Sequence, residues 1–285
     1  MREVDAPVAI VTGASSGIGE ASARCLARAG FRVALAARRG ELLEAIGKAI
    51  SETGGSALAV PTDLADESAT ARLVTRTLEA FGRADVLVNN AGFSPAAALE
   101  QLSRAELRQV LEVNLLGALQ LVAQLTPVMR DQGGGRIINV GSLAARVPAP
   151  LAVPYSASKG GMHAANDCLR LELAPWNIRV VRIVPGFVDT PTFENSRRMG
   201  ESLRADPKNP YRKLMLELDA FARKSLERAL SPEDVGRVVV KAARARRPRA
   251  VYYVPFSARL QSGLLGALPA RLLDPLLLRV YRGSS

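Results

Sequence analysis

The sequence predicts an α/β fold in which helices cover both faces of a seven-stranded parallel sheet, a doubly wound arrangement. Seven short apolar runs alternate with longer stretches of helical character. Near-continuous apolarity is what strands buried on both faces require, and the connecting stretches are long enough for helical crossovers. A glycine-rich turn follows the first run, as in strand–turn–helix units of such sheets. The runs are VAIV, VALAA, SALAV, DVLV, RIINV, VVRIV and VYYV.

The chain is expected to form one domain with two additions. We predict the domain over 1–255, with a substrate-loop insertion over 191–230 inside it, and a C-terminal helical extension over 256–285. Helix boundaries carry recognisable signals. Gly82 follows DESATARLVTRTLEAF and predicts a helix stop, whereas Ser231-Pro232-Glu233-Asp234 predicts an N-cap, a proline at N1 and an acidic first turn.

The composition excludes several classes of protein. Of 285 residues, 48% are hydrophobic and 23% are charged, which is ordinary for a globular protein. Cys25 and Cys168 are far apart, so a disulfide scaffold and a cysteine zinc site are excluded and a reduced, cytoplasmic setting is expected. We expect both cysteines to be buried apolar residues. A single histidine, His163, leaves little histidine-based metal chemistry, and no metal site is predicted.

The chain is basic, with 38 Lys+Arg against 27 Asp+Glu and a net charge of +11. Such a charge suits nucleic acid, anionic lipid or an acidic ligand, but a solvated arginine-rich surface is the favoured interpretation. Aromatic residues make up 5% and are not interleaved with the basic ones, which argues against stacking on single-stranded nucleic acid. We expect no nucleic-acid partner, no signal peptide and no uninterrupted spanning helix.

The turn Thr12-Gly13-Ala14-Ser15-Ser16-Gly17-Ile18-Gly19 suits a pyrophosphate group. Glycines permit a tight turn and a close approach of backbone N–H groups, and the following helix N-terminus adds partial positive charge. The spacing is G-x-x-x-G-x-G rather than G-x-G-x-x-G. Glycine-rich turns also occur without a ligand, but this one lies after the first strand and before an amphipathic helix, which favours the phosphate interpretation.

The second run ends in Ala36-Ala37-Arg38-Arg39, without an acidic residue. In dinucleotide-binding folds an acidic residue at this point holds the ribose 2′-hydroxyl of NAD. A guanidinium instead binds a 2′-phosphate bidentately. We therefore predict NADP as the cofactor, with Arg38 as the preferred contact. The alternative is a solvated arginine pair at a helix start.

Four polar residues further along are candidates for the chemistry. Tyr155 and Lys159 in YSASK lie one helical turn apart, and a cation near a phenol favours the phenolate, which turns a poor base into a general acid/base. Ser142 follows RIINV at a strand's carboxyl edge, where it either faces the ligand crevice or caps a helix. Asn114 lies among apolar residues, either as a satisfied core amide or as the holder of a water in a proton path.

Together these motifs resemble the short-chain dehydrogenase/reductase family. The resemblance covers roughly residues 7–255 and carries, in family order, TGASSGIG, Asn89-Asn90-Ala91-Gly92, Asn114, Ser142, YSASK and Pro185-Gly186. It implies a Rossmann-like fold, hydride transfer between NADP(H) and an alcohol or carbonyl compound, and a homodimer or homotetramer. It also implies that Tyr155 exchanges the proton, Ser142 binds the substrate oxygen, Lys159 lowers the Tyr155 pKa and holds the nicotinamide ribose, and Asn114 orders a relay water.

The resemblance implies cofactor contacts along the carboxyl edge of the sheet. The phosphates and the adenosine ribose would be lined by Gly13, Ser15, Ser16, Ile18 and Arg38. The adenine and the nicotinamide ribose region would be met by Asp63, Leu64, Asn90 and Lys159. The carboxamide end would be met by Val188 and Thr190.

The C-terminal extension resembles that of steroid- and retinol-dehydrogenase-like branches, which implies a bulky lipophilic alcohol or carbonyl substrate, steroid-, retinoid- or acyl-like. We expect Pro269 and Pro275 to cut its leucine-rich segment into short helices that must dock on something apolar. The dock is either the mouth of the site or a membrane surface, with arginines facing anionic headgroups. Two alternatives stay open for the function: a 3-ketoacyl reductase, and a cofactor-binding regulatory protein without turnover.

We expect His163 at the surface or at a subunit contact.

Overall fold

The computed structural model describes residues 6–281, apart from the side chains of residues 261, 262 and 266. One parallel sheet has the strand order β3-β2-β1-β4-β5-β6-β7, which confirms the predicted doubly wound sheet. Because the strand order changes direction at β1, ligands are expected beyond the carboxyl ends of β1 and β4. The strands are β1 Val8–Thr12, β2 Arg32–Ala37, β3 Ser56–Pro61, β4 Val86–Asn89, β5 Gly135–Val140, β6 Ile178–Pro185 and β7 Val251–Val254.

Helices pack against both faces of this sheet. Helices α1, α2 and α10 supply the apolar residues of one face, and α3, α5 and α6 those of the other. The helices are α1 Gly17–Arg28, α2 Gly40–Glu52, α3 Glu67–Phe81, α4 Arg104–Leu111, α5 Gly117–Asp131, α6 Val153–Glu172, α7 Thr192–Met199, α8 Glu201–Ala205, α9 Arg212–Leu226, α10 Pro232–Arg244, α11 Ser257–Ala267 and α12 Ala270–Tyr281.

The helix boundaries follow the predicted signals. Gly82 ends α3 in the left-handed conformation, with φ +72°, which costs glycine little. Ser231 begins α10: its hydroxyl accepts a hydrogen bond from the Asp234 N–H (3.2 Å), and the Asp234 carboxylate accepts one from the Ser231 N–H (3.0 Å). This reciprocal cap satisfies two backbone donors at the start of the helix that packs on α1.

Residues 104–131 form the one described helix that is long and apolar enough to cross a membrane, by length and composition alone. It comprises α4, a π-helical turn at Glu112–Leu116 and α5. Leu121, Leu125 and Met129 of α5 are fully buried against the sheet. Burial of each such side chain contributes roughly 1.5–3 kcal/mol to stability. A helix in the core of a globular domain can be as long and as apolar as a membrane-spanning helix.

The segment 191–230 leaves the sheet and returns close to where it left. Val188 and Leu230 on either side of it pair in an isolated parallel bridge, and α7, α8 and α9 fill the interval. The nearly buried Arg204 guanidinium of α8 binds the Asp219 carboxylate of α9 at 2.7 Å. The structure thus describes a small helical layer where the insertion is predicted, although its exact limits stay a prediction.

The extension folds as α11 and α12, with Pro269 between them as predicted. The expectation for Pro275 is wrong, because this proline lies inside α12. Its ring removes one helical hydrogen bond, at a cost of about 3 kcal/mol. The helix continues because Leu273, Leu277 and Tyr281 on one face are buried, at roughly 1.5–3 kcal/mol for each large apolar side chain.

Two further expectations need correction. Cys25 is buried, but Cys168 is exposed. The buried positions of α6 include Pro154, Ser158, Met162 and Asn166, a four-residue spacing that places residue 168 away from the core. His163, expected at the surface or at a contact, has its Nε2 atom buried and without a hydrogen-bond partner in the described part of the chain.

Candidate active site

The glycine turn after β1 is shaped by two close approaches. Gly13 has φ +65°, and a Cβ added there would lie 2.8 Å from Asn90 Nδ2. A Cβ on Gly19 would lie 2.1 Å from the Gly13 carbonyl oxygen, so no larger residue fits. Asn90, at the end of β4, holds the turn by donating from Nδ2 to the Thr12 carbonyl oxygen at 3.0 Å. The structure therefore brings together the predicted residues Gly13 and Asn90.

The N-terminus of α1 is open toward this turn. Ser16, the N-cap residue, is extended and its side chain caps no backbone N–H. The first N–H groups of a helix have no intrahelical acceptor, and with the helix dipole they form a site for an anion. The predicted residues Ser15 and Ser16 carry the hydroxyls that face Arg39, whose guanidinium donates to them at 2.9 and 3.2 Å.

Arg39, rather than Arg38, thus contacts the glycine turn. Arg38 is exposed and has no hydrogen bond or ion pair within residues 6–281. From the sequence, where the two arginines are adjacent, Arg38 is the preferred contact for the 2′-phosphate. The two arginines differ in the direction of their side chains at the end of β2. The sequence shows only that they are adjacent and does not reveal this direction.

The remaining predicted cofactor positions lie at the ends of other strands. Asp63, after β3, accepts from the Ala65 N–H at 3.0 Å and so orders its own turn, and the adjacent Leu64 is buried. Thr190, after β6, lies at the glycine turn, because a Cβ on Gly17 would come within 3.1 Å of its Cβ. Ile18 and Val188 pack against the same core cluster. Their contacts with a cofactor stay predictions.

Ser142 and Tyr155 meet where β5 ends and α6 begins. The Tyr155 phenol lies near enough to the Ser142 hydroxyl for this hydroxyl to lower the pKa of the phenol. Ser142 also caps the short helical turn Leu143–Ala145, since its Oγ accepts from the Ala144 N–H at 3.1 Å. The capping interpretation of this serine is therefore confirmed. Its hydroxyl has further hydrogen-bonding positions, and the contact with a substrate oxygen stays a prediction.

Lys159 lies one turn beyond Tyr155 on the buried side of α6. It is 5% exposed, and its Nζ donates to the Val140 carbonyl oxygen at 3.0 Å. The Nζ atom is 5.8 Å from the centre of the Tyr155 ring. An ammonium has three donors, so this single contact leaves Lys159 with further donors.

Asn114 connects the π-helical turn to α6. Its Oδ1 accepts from the Phe93 N–H at 2.9 Å, and its Nδ2 donates to the Phe93 carbonyl oxygen at 2.8 Å and to Ser158 Oγ at 3.2 Å. Ser158 Oγ in turn donates to the Tyr155 carbonyl oxygen at 2.7 Å. The amide is thus satisfied by protein groups, the first of the two predicted alternatives, and the relay water stays a prediction. Such π-helical turns occur often at functional sites.

Burial dominates the electrostatics of the site. Burial lowers the pKa of Lys159 to about 8. Burial also raises the pKa of Tyr155, against the opposing hydrogen bond with Ser142. Desolvation is the larger of the two causes. The lowering of the Tyr155 pKa by Lys159 together with an oxidised cofactor stays a prediction. At neutral pH the phenol is protonated and is a proton donor.

The fold and these residues define a class. The uncapped N-terminus of α1 and the Ser142, Tyr155 and Lys159 cluster both lie at the carboxyl edge of a doubly wound sheet, where nucleotide-dependent enzymes of this architecture bind their ligands. Within residues 6–281 no cluster of three or more His, Cys, Asp and Glu residues suits a metal ion. Residues 7–201 match the family model described as short chain dehydrogenase, and the chain belongs to this family of oxidoreductases. The family and enzyme class predicted from the sequence are confirmed.

Three comparisons illustrate the relationship. An uncharacterized oxidoreductase of Methylorubrum extorquens is 34% identical over 242 residues, which are 84% of this chain and 91% of the relative. The structure of an actinorhodin polyketide ketoreductase variant with NADPH is 32% identical with a TM-score of 0.76, covering 89% of this chain and 97% of that one. A short chain dehydrogenase/reductase of Burkholderia phymatum in complex with NAD is 27% identical with a TM-score of 0.80, covering 98% and 97%.

The Burkholderia structure leaves 2% of this chain uncovered, which is about six of its 285 residues. It therefore covers most of the C-terminal extension, residues 256–285. The polyketide ketoreductase leaves 11% of this chain uncovered. The extension is therefore not peculiar to this chain.

Proposed function

We propose that the protein is an NADP(H)-dependent oxidoreductase that interconverts a bulky lipophilic alcohol and its ketone or aldehyde, with Tyr155 as general acid/base. The observation that carries the proposal is the arrangement of Tyr155 against Ser142, with buried Lys159 behind it, at the sheet edge that also holds the open α1 N-terminus. Hydride transfer requires such a proton donor next to the reacting oxygen.

The residues at the turn fit a dinucleotide phosphate. Close packing at Gly13 and Gly19 brings the backbone near a ligand, and the uncapped α1 supplies N–H donors for the pyrophosphate. The arginine pair at the end of β2 supplies charge for a 2′-phosphate, where an acidic residue would select NAD. A relative solved with NADPH supports this preference, although another was solved with NAD. The cofactor supplies or accepts the hydride.

Each catalytic side chain has a distinct part in this proposal. In the reduction, the protonated Tyr155 phenol donates its proton to the carbonyl oxygen, and in the oxidation it takes the proton back. The Ser142 hydroxyl orients the same oxygen. The N–H donors of Lys159 that do not bind the Val140 carbonyl oxygen face the crevice beside Tyr155. Asn114 fixes the start of α6 through Ser158, and so fixes the position of the Tyr155 backbone.

An apolar wall that reaches the loop after Ser142 supports a lipophilic substrate. The Phe221 ring of α9 packs edge-on against Phe187 at 5.8 Å and against Tyr281 of α12 at 5.2 Å, measured between ring centres. Leu277 of α12 belongs to the same buried cluster, as does Val147, which lies five residues after Ser142. The insertion and the extension together form this wall, and a small polar substrate would leave it unused.

A substrate panel tests the proposal. Steroids, retinoids, quinones, medium- and long-chain acyl thioesters and small aldehydes are assayed with NADPH and with NADH. We expect kcat/KM to be higher with NADPH and to increase with the apolar size of the substrate. A preference for small polar carbonyl compounds would overturn the lipophilic substrate, and a preference for NADH would overturn the cofactor.

Two alternatives are separated by the same panel. The likeness to a polyketide ketoreductase structure supports a 3-ketoacyl reductase, which would turn over 3-ketoacyl thioesters and leave the steroids and retinoids unchanged. A regulatory protein would bind NADPH and turn over nothing. The assembled Ser142, Tyr155 and Lys159 favour an enzyme, because a regulator needs no proton donor at this position.

We propose that the outer face of the extension lies on an anionic membrane, with the enzyme otherwise in the cytoplasm. Large apolar side chains stay exposed there: Phe256, Leu260, Leu264, Leu272, Leu276 and Val280. Arg259, Arg271 and Arg279 flank them, a pattern of interfacial helices. Co-sedimentation with anionic vesicles, weakened by salt and lost on truncation after Pro255, is expected. The dimer or tetramer stays a prediction for sedimentation analysis.

A further inference from the structure

A second cleft lies at the opposite edge of the sheet, where the strands begin. It has a volume of about 790 Å³ and is bordered by the residues that precede β1, β2, β5 and β6 and by the end of α10. Five arginines line it: Arg136, Arg179, Arg244, Arg246 and Arg247. This edge is remote from Tyr155 and from the glycine turn, both of which lie at the carboxyl ends of the strands.

Two of these arginines are neighbours in the sheet. Arg136 of β5 is in register with Arg179 of β6, so their side chains leave the same face. Like charges placed side by side across strands repel each other. Burial lowers the pKa of Arg136, Tyr252 opposes this change, and the charge of Arg179 lowers the pKa further. The pair is thus unfavourable unless a negative charge lies between the two guanidinium groups.

The protein supplies little such charge. Within residues 6–281 none of the five arginines forms an ion pair with a carboxylate. Asp85, the one acidic residue among the described residues that line the cleft, already binds Arg83 at 2.6 Å and accepts from the Val8 N–H at 2.8 Å. Arg136 donates from Nη2 to the Ala245 carbonyl oxygen at 2.8 Å, but its buried Nε and Nη1 have no partner among the described residues.

Another explanation covers only part of the cluster. Cations at the end of α10 are favourable next to the negative end of the helix dipole, and Arg244 donates to the Ala29 carbonyl oxygen. That accounts for Arg244 and its neighbours. It does not account for Arg136 and Arg179, which lie at the starts of two strands, nor for buried guanidinium N–H groups that lack acceptors.

We propose that this cleft is a second binding site, for a small anion that carries several phosphate groups. Guanidinium groups bind phosphate oxygens bidentately, and a cluster of them suits neighbouring phosphates better than a single carboxylate. The volume is that of a small-molecule site. Because the cleft and the glycine turn lie at opposite edges of the sheet, the site is occupied independently of NADP(H).

Titration of the full chain with inorganic tripolyphosphate, followed by calorimetry at about 0.15 M salt, tests the proposal. With saturating NADPH filling the glycine turn, we expect one site. The affinity of this site is expected to be the same without NADPH, when the glycine turn is also open to the probe. Arg179→Gln is expected to weaken binding at least about tenfold, the loss of one charge-assisted hydrogen bond. Arg223→Gln, at an exposed position of α9, is the matched control and is expected to change nothing.

Thermal unfolding adds a readout that a purely structural role of Arg179 would not give. Without tripolyphosphate, Arg179→Gln relieves the repulsion with Arg136, so the variant melts at or above the temperature of the wild type. With tripolyphosphate the order reverses, because the wild type gains more from binding. An Arg179→Gln protein that melts lower by the same amount under both conditions would contradict the proposal.

Other outcomes also overturn it. Binding that Arg179→Gln leaves unchanged, or that NADPH abolishes, would assign tripolyphosphate to the glycine turn or to the general surface. Duplex DNA of 20 base pairs that binds more tightly than tripolyphosphate, in an Arg179-dependent manner, would replace the small anion by a nucleic acid. Monomeric short-chain phosphatidic acid, added to the full chain, shows whether a lipid headgroup supplies the phosphate: displacement of tripolyphosphate supports the same site with a lipid source.

Discussion

The Tyr281 hydroxyl donates a hydrogen bond to the carbonyl oxygen of Pro148 at 2.8 Å. Pro148 lies on the segment that runs from Ser142 to the start of α6, and Tyr281 is the last residue of α12. The contact therefore joins the end of α12 to the loop that follows the proposed catalytic residue Ser142. It gives the extension a physical route to the site, because a shift of α12 displaces the same loop.

Removing the extension is expected to impair selection of large substrates. Truncation after Pro255 exposes Phe221 and removes Leu273, Leu277 and Tyr281 from the apolar wall. We predict that NADPH binding stays measurable while KM for a bulky apolar substrate increases about tenfold or more, the equivalent of a lost apolar contact of roughly 1.5–3 kcal/mol. A small aldehyde is expected to lose far less.

Tyr281→Phe is the finer version of this experiment. It retains the ring contact with Phe221 and removes the hydrogen bond to Pro148, so a smaller increase in KM is expected, with the melting temperature close to that of the wild type. Equal losses for large and small substrates would show that the extension does not select substrates. A truncated chain that does not fold would show that α11 and α12 belong to the core.

Tyr155→Phe is expected to reduce kcat roughly 10²–10⁴-fold, the usual contribution of a general acid/base. The ring and its packing remain, so the dissociation constant of NADPH is expected to stay within about twofold of the wild type. Steady-state kinetics and a fluorescence titration with NADPH measure the two quantities. Retention of more than about a tenth of the wild-type kcat would remove Tyr155 from the proposed role.

The two arginines after β2 are separated by a matched pair of variants. A charge-assisted hydrogen bond is worth about 1.5–3 kcal/mol, so loss of the arginine that holds the 2′-phosphate weakens NADPH binding roughly 10–150-fold and leaves NADH nearly unchanged. The sequence favours Arg38. Arg39 bonds Ser15 and Ser16, so Arg39→Ala is expected to loosen the turn and to weaken both cofactors. If only Arg39→Ala discriminates against NADPH, Arg39 is the phosphate ligand.

Much of the fold follows from local patterns. The apolar runs locate the seven strands because residues buried on both sheet faces leave little room for polar side chains. Gly82 and Ser231 mark helix ends through conformations and hydrogen bonds that depend on the residues themselves. Strand order is not contained in those patterns, and only the doubly wound class of the sheet was predicted from the sequence.

Other features depend on tertiary contacts. Pro275 is tolerated inside α12 because that helix packs on α9, a contact that no local signal encodes. The pKa of Tyr155 depends on how much water the folded site excludes, which the helical spacing to Lys159 does not reveal. The facing pair Arg136 and Arg179 required the strand register. In each case the local preference is weaker than the packing around it.

The single histidine of the chain is expected to set the stability near pH 5. Burial lowers the pKa of His163 to about 4, with Arg182, Arg146 and Lys159 lowering it further and Asp167 opposing them. In the unfolded chain the pKa is near 6.5. Between these values the unfolded state binds more protons, so the free energy of unfolding decreases as the pH falls from about 6.5 to about 4.

Because the ring is partly exposed and its interactions are screened by solvent, the loss across that interval is expected to be on the order of 1–2 kcal/mol. Urea unfolding at several pH values measures it, and the segment between pH 6.5 and 5 is diagnostic because carboxylates titrate mostly below it. His163→Gln is expected to be less stable at pH 7, since the ring packs on Gly141, but to have a flatter profile from pH 6.5 to 5. Asp167→Asn, which keeps the histidine and removes the opposing charge, is expected to retain the slope. An unchanged slope in His163→Gln would assign the acid sensitivity to other groups.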